Sequence, residues 1–157
     1  MTINNERLAK FEGRCWHEVK DAYSRECLKC GTVLSYNVSL NPSYSTSPDD
    51  RERLLLYLMG QEEMWMQFYI WSHEKKEQGD CNRVIYDWPF VSWLFSPLDG
   101  APRWVSLLSE WLRLDETVER WGYTECKNAH CCECHDCADC NGTGKVLSEW
   151  AKYVKEG

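Results

Sequence analysis

The spacing of apolar residues along the chain predicts a framework of several helices. The strongest pattern covers residues 102–121, where apolar side chains recur at intervals of three and four residues, as one face of a helix requires. Its regular members are Trp104, Leu107, Leu108, Trp111 and Leu112. Val118 and Trp121 continue the pattern less regularly, so a second short helix is expected to begin near Asp115.

Two further helices are predicted from their end signals. Residues 4–12 form a short apolar-spaced stretch that Gly13 should end. A longer helix is expected after Ser47, whose hydroxyl can cap a helix N-terminus, with Pro48 at the first helical position and two aspartates in the first turn. That helix should end at Gly60, because glycine commonly ends helices.

A segment rich in aromatic residues predicts the main β-structure. In residues 64–73, apolar side chains occupy both alternating sets of positions, which is typical of a strand covered on both faces. The charged residues 74–80 are interpreted as a hairpin loop and residues 81–88 as the returning strand. His73 would then be a surface residue at a strand end, and residues 145–155 a closing strand or helix.

Composition is that of a folded globular protein. The chain has 157 residues, 43% of them hydrophobic and 13% aromatic, including nine tryptophans, and this content excludes disorder throughout. No apolar run approaches the roughly 20 residues of a membrane span. The first residues contain no apolar signal-peptide core, so a cytoplasmic location without membrane association is predicted.

Net charge limits the partners. Eighteen Lys and Arg against 25 Asp and Glu give a charge of −7. Long nucleic acid is bound mainly through cations that neutralise phosphates, so general binding of long nucleic acid is not expected. A local basic pocket for a small anion is compatible with the charge.

The ten cysteines are clustered, and the first cluster predicts a zinc site. Cys15 and His17 form a Cys-x-His pair, and nine residues later Cys27 and Cys30 form a Cys-x-x-Cys pair followed by Gly31. Zinc prefers four tetrahedral thiolate or imidazole ligands. The glycine permits the positive φ that such a turn often needs. The alternative is two free buried thiols beside a surface histidine.

The second cluster, over residues 126–144, offers eight potential ligands in fifteen residues. Cys137 and Cys140 are the central pair, and we expect Cys126 to join them. We expect one of Cys131, Cys132 and Cys134 to supply the last ligand, and Cys131 and Cys134 are in the predicted ligand set. The two histidines that could instead complete the site are His130 and His135. Two zinc ions sharing all eight groups would be crowded.

Both sites are predicted to be structural. A catalytic zinc keeps three protein ligands and an open position, whereas each of these clusters can fill four positions with Cys and His. We therefore predict two structural zinc ions and an α+β fold, with a small antiparallel sheet flanked by helices and zinc-stabilised hairpins near both ends. The expected segments are 1–36 (helix and zinc hairpin), 37–122 (α+β core) and 123–157 (zinc hairpin and tail).

Residues 41–48 read Asn-Pro-Ser-Tyr-Ser-Thr-Ser-Pro and precede the predicted helix, aromatic hairpin and second helix. This arrangement resembles the phage ABA-sandwich domain over residues 41–113, with Ser47 where that family's Pro-x-Tyr-Ser-Thr-Asp segment has Asp. The Cys-x-x-Cys-x-Gly-x-Gly stretch that begins at Cys137 resembles one repeat of the DnaJ-type zinc domain, which supports a zinc hairpin without implying chaperone function. The first resemblance implies a phage-encoded protein acting in the bacterial host cytoplasm.

No nucleotide-binding loop, hydrolase elbow or metalloprotease motif is present in the sequence, so an enzyme is not predicted. Aromatic rings can stack on bases, and arginines near helix starts can bind phosphate. The predicted ligand-binding residues are Arg51, Arg53, Trp65, Tyr69, Trp71 and Arg103. The leading hypothesis is a non-enzymatic, homo-oligomeric zinc-binding phage accessory protein that counteracts host defence by sequestering a nucleotide-like small molecule. The alternatives are an acidic inhibitor of a host protein and a structural or assembly accessory protein.

Overall fold

A computed structural model of the chain has the predicted α+β class, with seven helices and two two-stranded antiparallel sheets among the residues that it describes. Those residues are 2–37, 39–77, 88–127, 137 and 139–157. They divide into two compact units, Met1–Glu110 and Trp111–Gly157. Within the described ranges, no helix has both the length and the apolarity needed to cross a membrane.

The elements follow one another in a simple order. The helices are α1 (Asn5–Phe11), α2 (Pro48–Met59), α3 (Glu62–Glu77), α4 (Trp88–Phe95), α5 (Arg103–Trp111), α6 (Asp115–Trp121) and α7 (Glu149–Glu156). The strands are β1 (Pro97–Leu98), β2 (Ala101–Pro102), β3 (Tyr123–Glu125) and β4 (Lys145–Leu147). Strand β1 pairs with β2, and β3 pairs with β4. The division of the sequence into three segments stays a prediction.

Four helices confirm the sequence-based expectations. Helix α1 lies within residues 4–12, and α2 begins with Ser47 as its cap, where the Ser47 hydroxyl accepts a hydrogen bond of 3.2 Å from the Asp50 N–H. Gly60 ends α2, as predicted. The long pattern over 102–121 forms α5 and α6, with the second helix beginning at Asp115. These helices were predictable because their signals are local.

The predicted aromatic strand is wrong: residues 64–73 lie in helix α3. Its buried side chains follow helical spacing, while Met66 is 37% exposed. The buried positions are Met64, Phe68, Tyr69, Ser72 and His73. Two glutamates in the first turn and two lysines in the last turn complement the helix dipole.

The same correction extends to the rest of the predicted hairpin. Residues 74–77 belong to α3 rather than to a loop, and residues 78–87 lie outside the described residues. Trp88, the predicted end of the returning strand, begins α4. His73 is 3% exposed in the middle of packed helices, so it is not a surface residue.

The core of the first unit is built from its helices. Phe11 of α1 meets Tyr57 of α2 edge to face at 5.3 Å between ring centroids, and Tyr69 of α3 meets Phe90 of α4 at 4.9 Å. The fully buried side chains of this unit include Leu8, Tyr44, Leu54, Leu58, Phe68, Phe90, Leu94, Trp104, Leu107 and Leu108. Burial of these large apolar groups is the main stabilising contribution to the unit.

The second unit packs helices beside a short hairpin sheet. Tyr123 pairs with Leu147 in the β3–β4 register, and the Ser148 N–H donates to the Gly122 carbonyl at 2.8 Å. A Cβ atom at Gly122 would lie 2.9 Å from the Ala151 Cβ, so only glycine allows this close approach of α6 and α7. The predicted closing segment, left open between strand and helix, contains both: β4 and then α7.

Candidate metal centres

Four predicted ligands converge in the N-terminal hairpin. One ligand atom from each of Cys15, His17, Cys27 and Cys30 lies within 4.8 Å of all the others. The Cys15 and Cys27 sulfurs are 3.8 Å apart, and the Cys30 sulfur lies 3.5 Å from the His17 Nδ1. In a tetrahedral zinc site, Zn–S bonds are about 2.3 Å and Zn–N bonds about 2.0 Å long. The ligand atoms are then about 3.8 Å apart for two sulfurs and about 3.5 Å apart for a sulfur and a nitrogen. Both measured separations therefore match the edges of a tetrahedral Cys₃His site.

A tight turn presents the second ligand pair. The Gly31 N–H donates to the Cys27 carbonyl at 2.8 Å, and the Lys29 N–H donates to the Cys27 sulfur at 3.4 Å. Gly31 has a φ of 72°, the left-handed conformation that was predicted for it. The Cys27 N–H donates to the Thr32 carbonyl at 2.9 Å, which closes the turn. Backbone hydrogen bonds thus shape this half of the site.

Asn41 holds the first ligand pair from outside the hairpin, a role that the sequence analysis missed. Its Oδ1 accepts from the His17 N–H at 2.6 Å, and its Nδ2 donates to the His17 carbonyl at 3.0 Å. One amide side chain therefore satisfies both backbone groups of a ligand residue. The only sequence signal is an Asn immediately before a proline, which by itself indicates a turn rather than a site.

Asp50, in the first turn of α2, joins the two ends of the hairpin. Its Oδ1 accepts from the Arg14 Nη1 at 3.2 Å, and its Oδ2 accepts from the Ser43 N–H at 3.0 Å. Desolvation acts to raise the pKa of Asp50, but hydrogen bonds from Ser43 and Ser47 and the nearby arginines outweigh it, so the pKa lies below its ordinary value of 3.8.

A buried carboxylate extends this network. The Tyr44 hydroxyl donates to Glu12 Oε2 at 2.6 Å, and the Arg53 Nε donates to Glu12 Oε1 at 3.2 Å. Arg53 also pairs with Asp50. Burial and the contact with Glu12 raise the pKa of Tyr44, so its hydroxyl stays a hydrogen-bond donor throughout the physiological range.

The cysteines of the first cluster differ in their acidity. Burial, with hydrogen bonds to the other two sulfurs, raises the pKa of Cys15 to about 12. Desolvation also acts to raise the pKa of Cys27, but hydrogen bonds from the Cys30 N–H and from His17 outweigh it and bring that pKa down to about 5. The surroundings thus lower the pKa of Cys27 and raise that of Cys15, and metal binding would remove the protons from the cysteine ligands.

Three cysteines form the core of the C-terminal centre. The sulfurs of Cys126, Cys137 and Cys140 lie within 4.8 Å of one another, and those of Cys126 and Cys137 are 3.9 Å apart. Cys137 and Cys140 are 4% and 5% exposed, with Val146 packed against them. The sequence analysis named these same three cysteines as the main ligands of the site. Three thiolates at this separation can hold a metal ion.

The backbone around this centre is a glycine-rich hairpin. Cys126 continues β3, and its N–H donates to the Gly144 carbonyl at 2.8 Å. The Asn141 N–H donates to the Cys137 carbonyl at 2.8 Å, which closes the Cys-x-x-Cys turn. Gly142 and Gly144 have φ values of 78° and 73°. The remaining candidate ligands lie outside the described residues: His130, Cys131, Cys132, Cys134 and His135.

The predicted ligand-binding arginines have partners within the chain. Arg51 donates to the Ser45 carbonyl at 3.3 Å, which ties it to the loop before α2. Arg53 belongs to the carboxylate network described above. Arg103, the first residue of α5, lies over the Trp93 ring at 4.6 Å. Arg51 and Arg53 thus have structural roles that the sequence analysis missed.

The predicted ligand-binding aromatics lie on a helix, not on a strand face. Trp65 and Tyr69 are one turn apart with ring centroids at 6.0 Å, and Tyr69 is 1% exposed. Trp71 stacks on Phe68 at 6.4 Å and has the Lys75 ammonium over its ring at 5.3 Å. The strand face on which these rings were expected to stack with a base does not exist.

No protein-family model, curated protein or solved structure matches this chain. The resemblances to the phage ABA-sandwich domain and to the DnaJ-type repeat therefore stay predictions. The helical aromatic segment removes one feature on which the first resemblance was based, namely the hairpin between two helices.

Proposed function

We propose that the protein binds two structural zinc ions and that it acts by binding, without catalysing a reaction. The observation that carries the proposal is the first cluster, whose Cys15–Cys27 S···S separation of 3.8 Å and Cys30–His17 S···N separation of 3.5 Å match the edges of a tetrahedral zinc site. Three cysteines and a histidine fill all four positions, which leaves none for a substrate or an activated water. The sequence around the second cluster supplies candidates for a fourth ligand there.

Ligand sequestration is the second part of the proposal, and Arg103 is the observation that favours it. Among the predicted ligand-binding arginines, Arg51 and Arg53 are held by carbonyl or carboxylate oxygens, whereas Arg103 faces an indole ring. A nucleotide-like small molecule is the ligand class we propose. Phage origin, a role against host defence, homo-oligomerisation and the alternative of a host-protein inhibitor rest on the sequence alone.

Native mass spectrometry of protein purified without chelator tests the metal sites. We expect two zinc ions per chain, and one in each of the variants Cys27→Ser and Cys140→Ser. Replacement by Co²⁺ should give the visible absorption of tetrahedral thiolate coordination. A chain that carries no zinc, or that loses both ions in a single variant, would contradict two separate structural sites. The same spectra report the subunit number and any retained small molecule.

A further inference from the structure

Two cations in the first unit share one indole ring and have no acidic partner in the part of the chain that the structure describes. The Arg103 guanidinium lies 4.6 Å from the Trp93 ring centroid, and the Lys76 ammonium lies 5.8 Å from it. Among the described residues, neither cation forms an ion pair, and nothing accepts a hydrogen bond from the buried Arg103 Nε. A chain with a charge of −7 thus places two positive groups over one indole with no counter-charge among the described residues.

Six other cations among the described residues are paired with carboxylates. The paired cations are Lys10, Arg14, Lys29, Arg53, Lys75 and Lys152. Lys75 provides the closest comparison, because it also lies over an indole, that of Trp71 at 5.3 Å, yet its ammonium binds Glu110 at 2.6 Å. The adjacent Lys76 has the aromatic contact, and no carboxylate of the described ranges pairs with it.

The surroundings of the two cations also favour an anion. His73 lies one helical turn before Lys76, with its ring 4.6 Å from that of Phe90, and its buried Nδ1 has no hydrogen-bond partner among the described residues. Lys76 approaches the same Phe90 ring at 5.9 Å. Arg103 begins α5, where the helix dipole places partial positive charge. Apolar rings around the cations lower the local dielectric, which strengthens their attraction for a negative group.

We infer that Lys76, Arg103 and the Trp93 ring form a binding site for the phosphate groups of a small phosphorylated molecule. Guanidinium and ammonium groups are the usual protein partners of phosphate, and together they match the two charges of a terminal phosphate. The inference rests on the ligand-binding part of the proposed function and gives it a location. Of the ligand-binding residues predicted from the sequence, this site contains only Arg103. Lys76 and Trp93 were not in the predicted set.

Isothermal titration of the zinc-loaded protein with ADP, pyrophosphate and adenosine at low salt tests the site. We expect ADP and pyrophosphate to bind and adenosine not to bind. Each of Lys76→Gln and Arg103→Gln should weaken binding by about tenfold, since a charged hydrogen bond is lost. The matched control Lys75→Gln should change affinity by less than about twofold, because its ammonium is already paired. Arg103→Lys keeps the charge and should retain most of the affinity.

The outcomes separate this site from the broader proposal. Unchanged ADP binding in Lys76→Gln and Arg103→Gln would overturn the site while leaving ligand sequestration in place. Equal binding of adenosine and ADP would overturn the role of phosphate. Failure of ADP and pyrophosphate to bind the wild-type protein would overturn the site and remove its support for sequestration. Zinc content and far-UV circular dichroism confirm that each variant is folded.

Discussion

The two metal centres lie in different kinds of surroundings. Residues 15–37 around the N-terminal centre contain one buried side chain, that of Cys27, and expose several large apolar groups, including Tyr23 at 88% and Val33 at 71%. In the C-terminal centre, by contrast, Cys137 and Cys140 are both buried, and Val146 packs against them. That centre also adjoins the β3–β4 sheet.

This difference shows where a metal takes the place of a hydrophobic core. The N-terminal hairpin buries too little apolar surface to offset the conformational entropy of ordering its backbone. With the proposed zinc bound, its order would come from the metal and from the contacts at its base. The C-terminal hairpin has a sheet and buried sulfurs beside Val146, so a metal bound there would add to an existing packed structure.

The largest expected effect is on the order of the N-terminal hairpin, and it is tested by removing one ligand from each centre in turn. In Cys27→Ser, zinc should leave the first site, and residues 15–37 should lose their order, because metal binding supplies their folding energy. Trypsin should then cut rapidly after Lys20, Arg25 or Lys29. In Cys140→Ser, these three bonds should stay as protected as in the wild-type protein. Limited proteolysis followed by mass spectrometry locates the cuts.

A protected N-terminal hairpin in Cys27→Ser would break the comparison, because its order would then not depend on the metal. The C-terminal centre provides the internal reference: its zinc should remain bound in Cys27→Ser. Far-UV circular dichroism should change little in that variant, since the helices of the core do not belong to the hairpin.

A smaller effect is expected from Asn41→Ala. The variant leaves all four ligands of the first site in place but removes both hydrogen bonds to the His17 backbone. Supporting groups of this kind typically change metal affinity by about 10–100-fold. Competition with a chromogenic chelator should show that loss for one of the two zinc ions. The control Asn37→Ala alters an exposed asparagine of the same hairpin and should leave both affinities unchanged.

Asp50→Asn should have the smallest effect, and that effect should depend on pH. The variant weakens the contacts with Arg14 and Ser43, and we expect a loss of about 1–2 kcal/mol in the free energy of unfolding at neutral pH. Because the folded pKa of Asp50 lies below 3.8, its contribution is complete above that pH and disappears as the pH falls through the folded value.

Urea unfolding of both proteins between neutral and acid pH measures this dependence. The difference in stability between the wild-type protein and Asp50→Asn should shrink below about pH 4. A difference that stays constant with pH would show that the carboxylate charge is not the source. A stability loss that grows toward acid would contradict the sign of the pKa shift.

The sequence predicted the helices whose ends carry local signals and missed both α4 and α3, whose pattern was ambiguous. Ser47, Pro48 and Gly60 define α2 through groups within a few residues of its ends. Helix α3 is apolar nearly all round, so alternation and helical spacing both fitted its residues. Tertiary packing decides such a case, because Tyr69 packs edge to face against Phe90, twenty-one residues further along the chain.

The metal ligands were predictable for a similar reason. Cys27 and Cys30 are brought together by one turn, and zinc chemistry restricts the residue types that can bind. Asn41 and Asp50 could not be identified in this way, because the contacts of Asn41 with His17 and of Asp50 with Arg14 span more than twenty positions and have no characteristic spacing. Nor could Lys76 be distinguished from its neighbour Lys75, since only the fold places Glu110 beside one of them.

The hydrogen bonds of Asp50 to both Arg14 and Ser43 affect how readily the N-terminal hairpin could bind a metal ion. The Asp50 carboxylate holds together the two ends of the loop from Arg14 to Ser43. The Asn41 contact with His17 joins the same loop a few residues further in. Closing a loop of this length costs on the order of 3 kcal/mol in chain entropy. The Asp50 and Asn41 contacts offset this entropy before zinc binds. The four ligands are therefore already close together when they meet the ion, at a high effective concentration. We therefore expect insertions at the tip of this loop to affect metal binding far less than changes to the residues at its base.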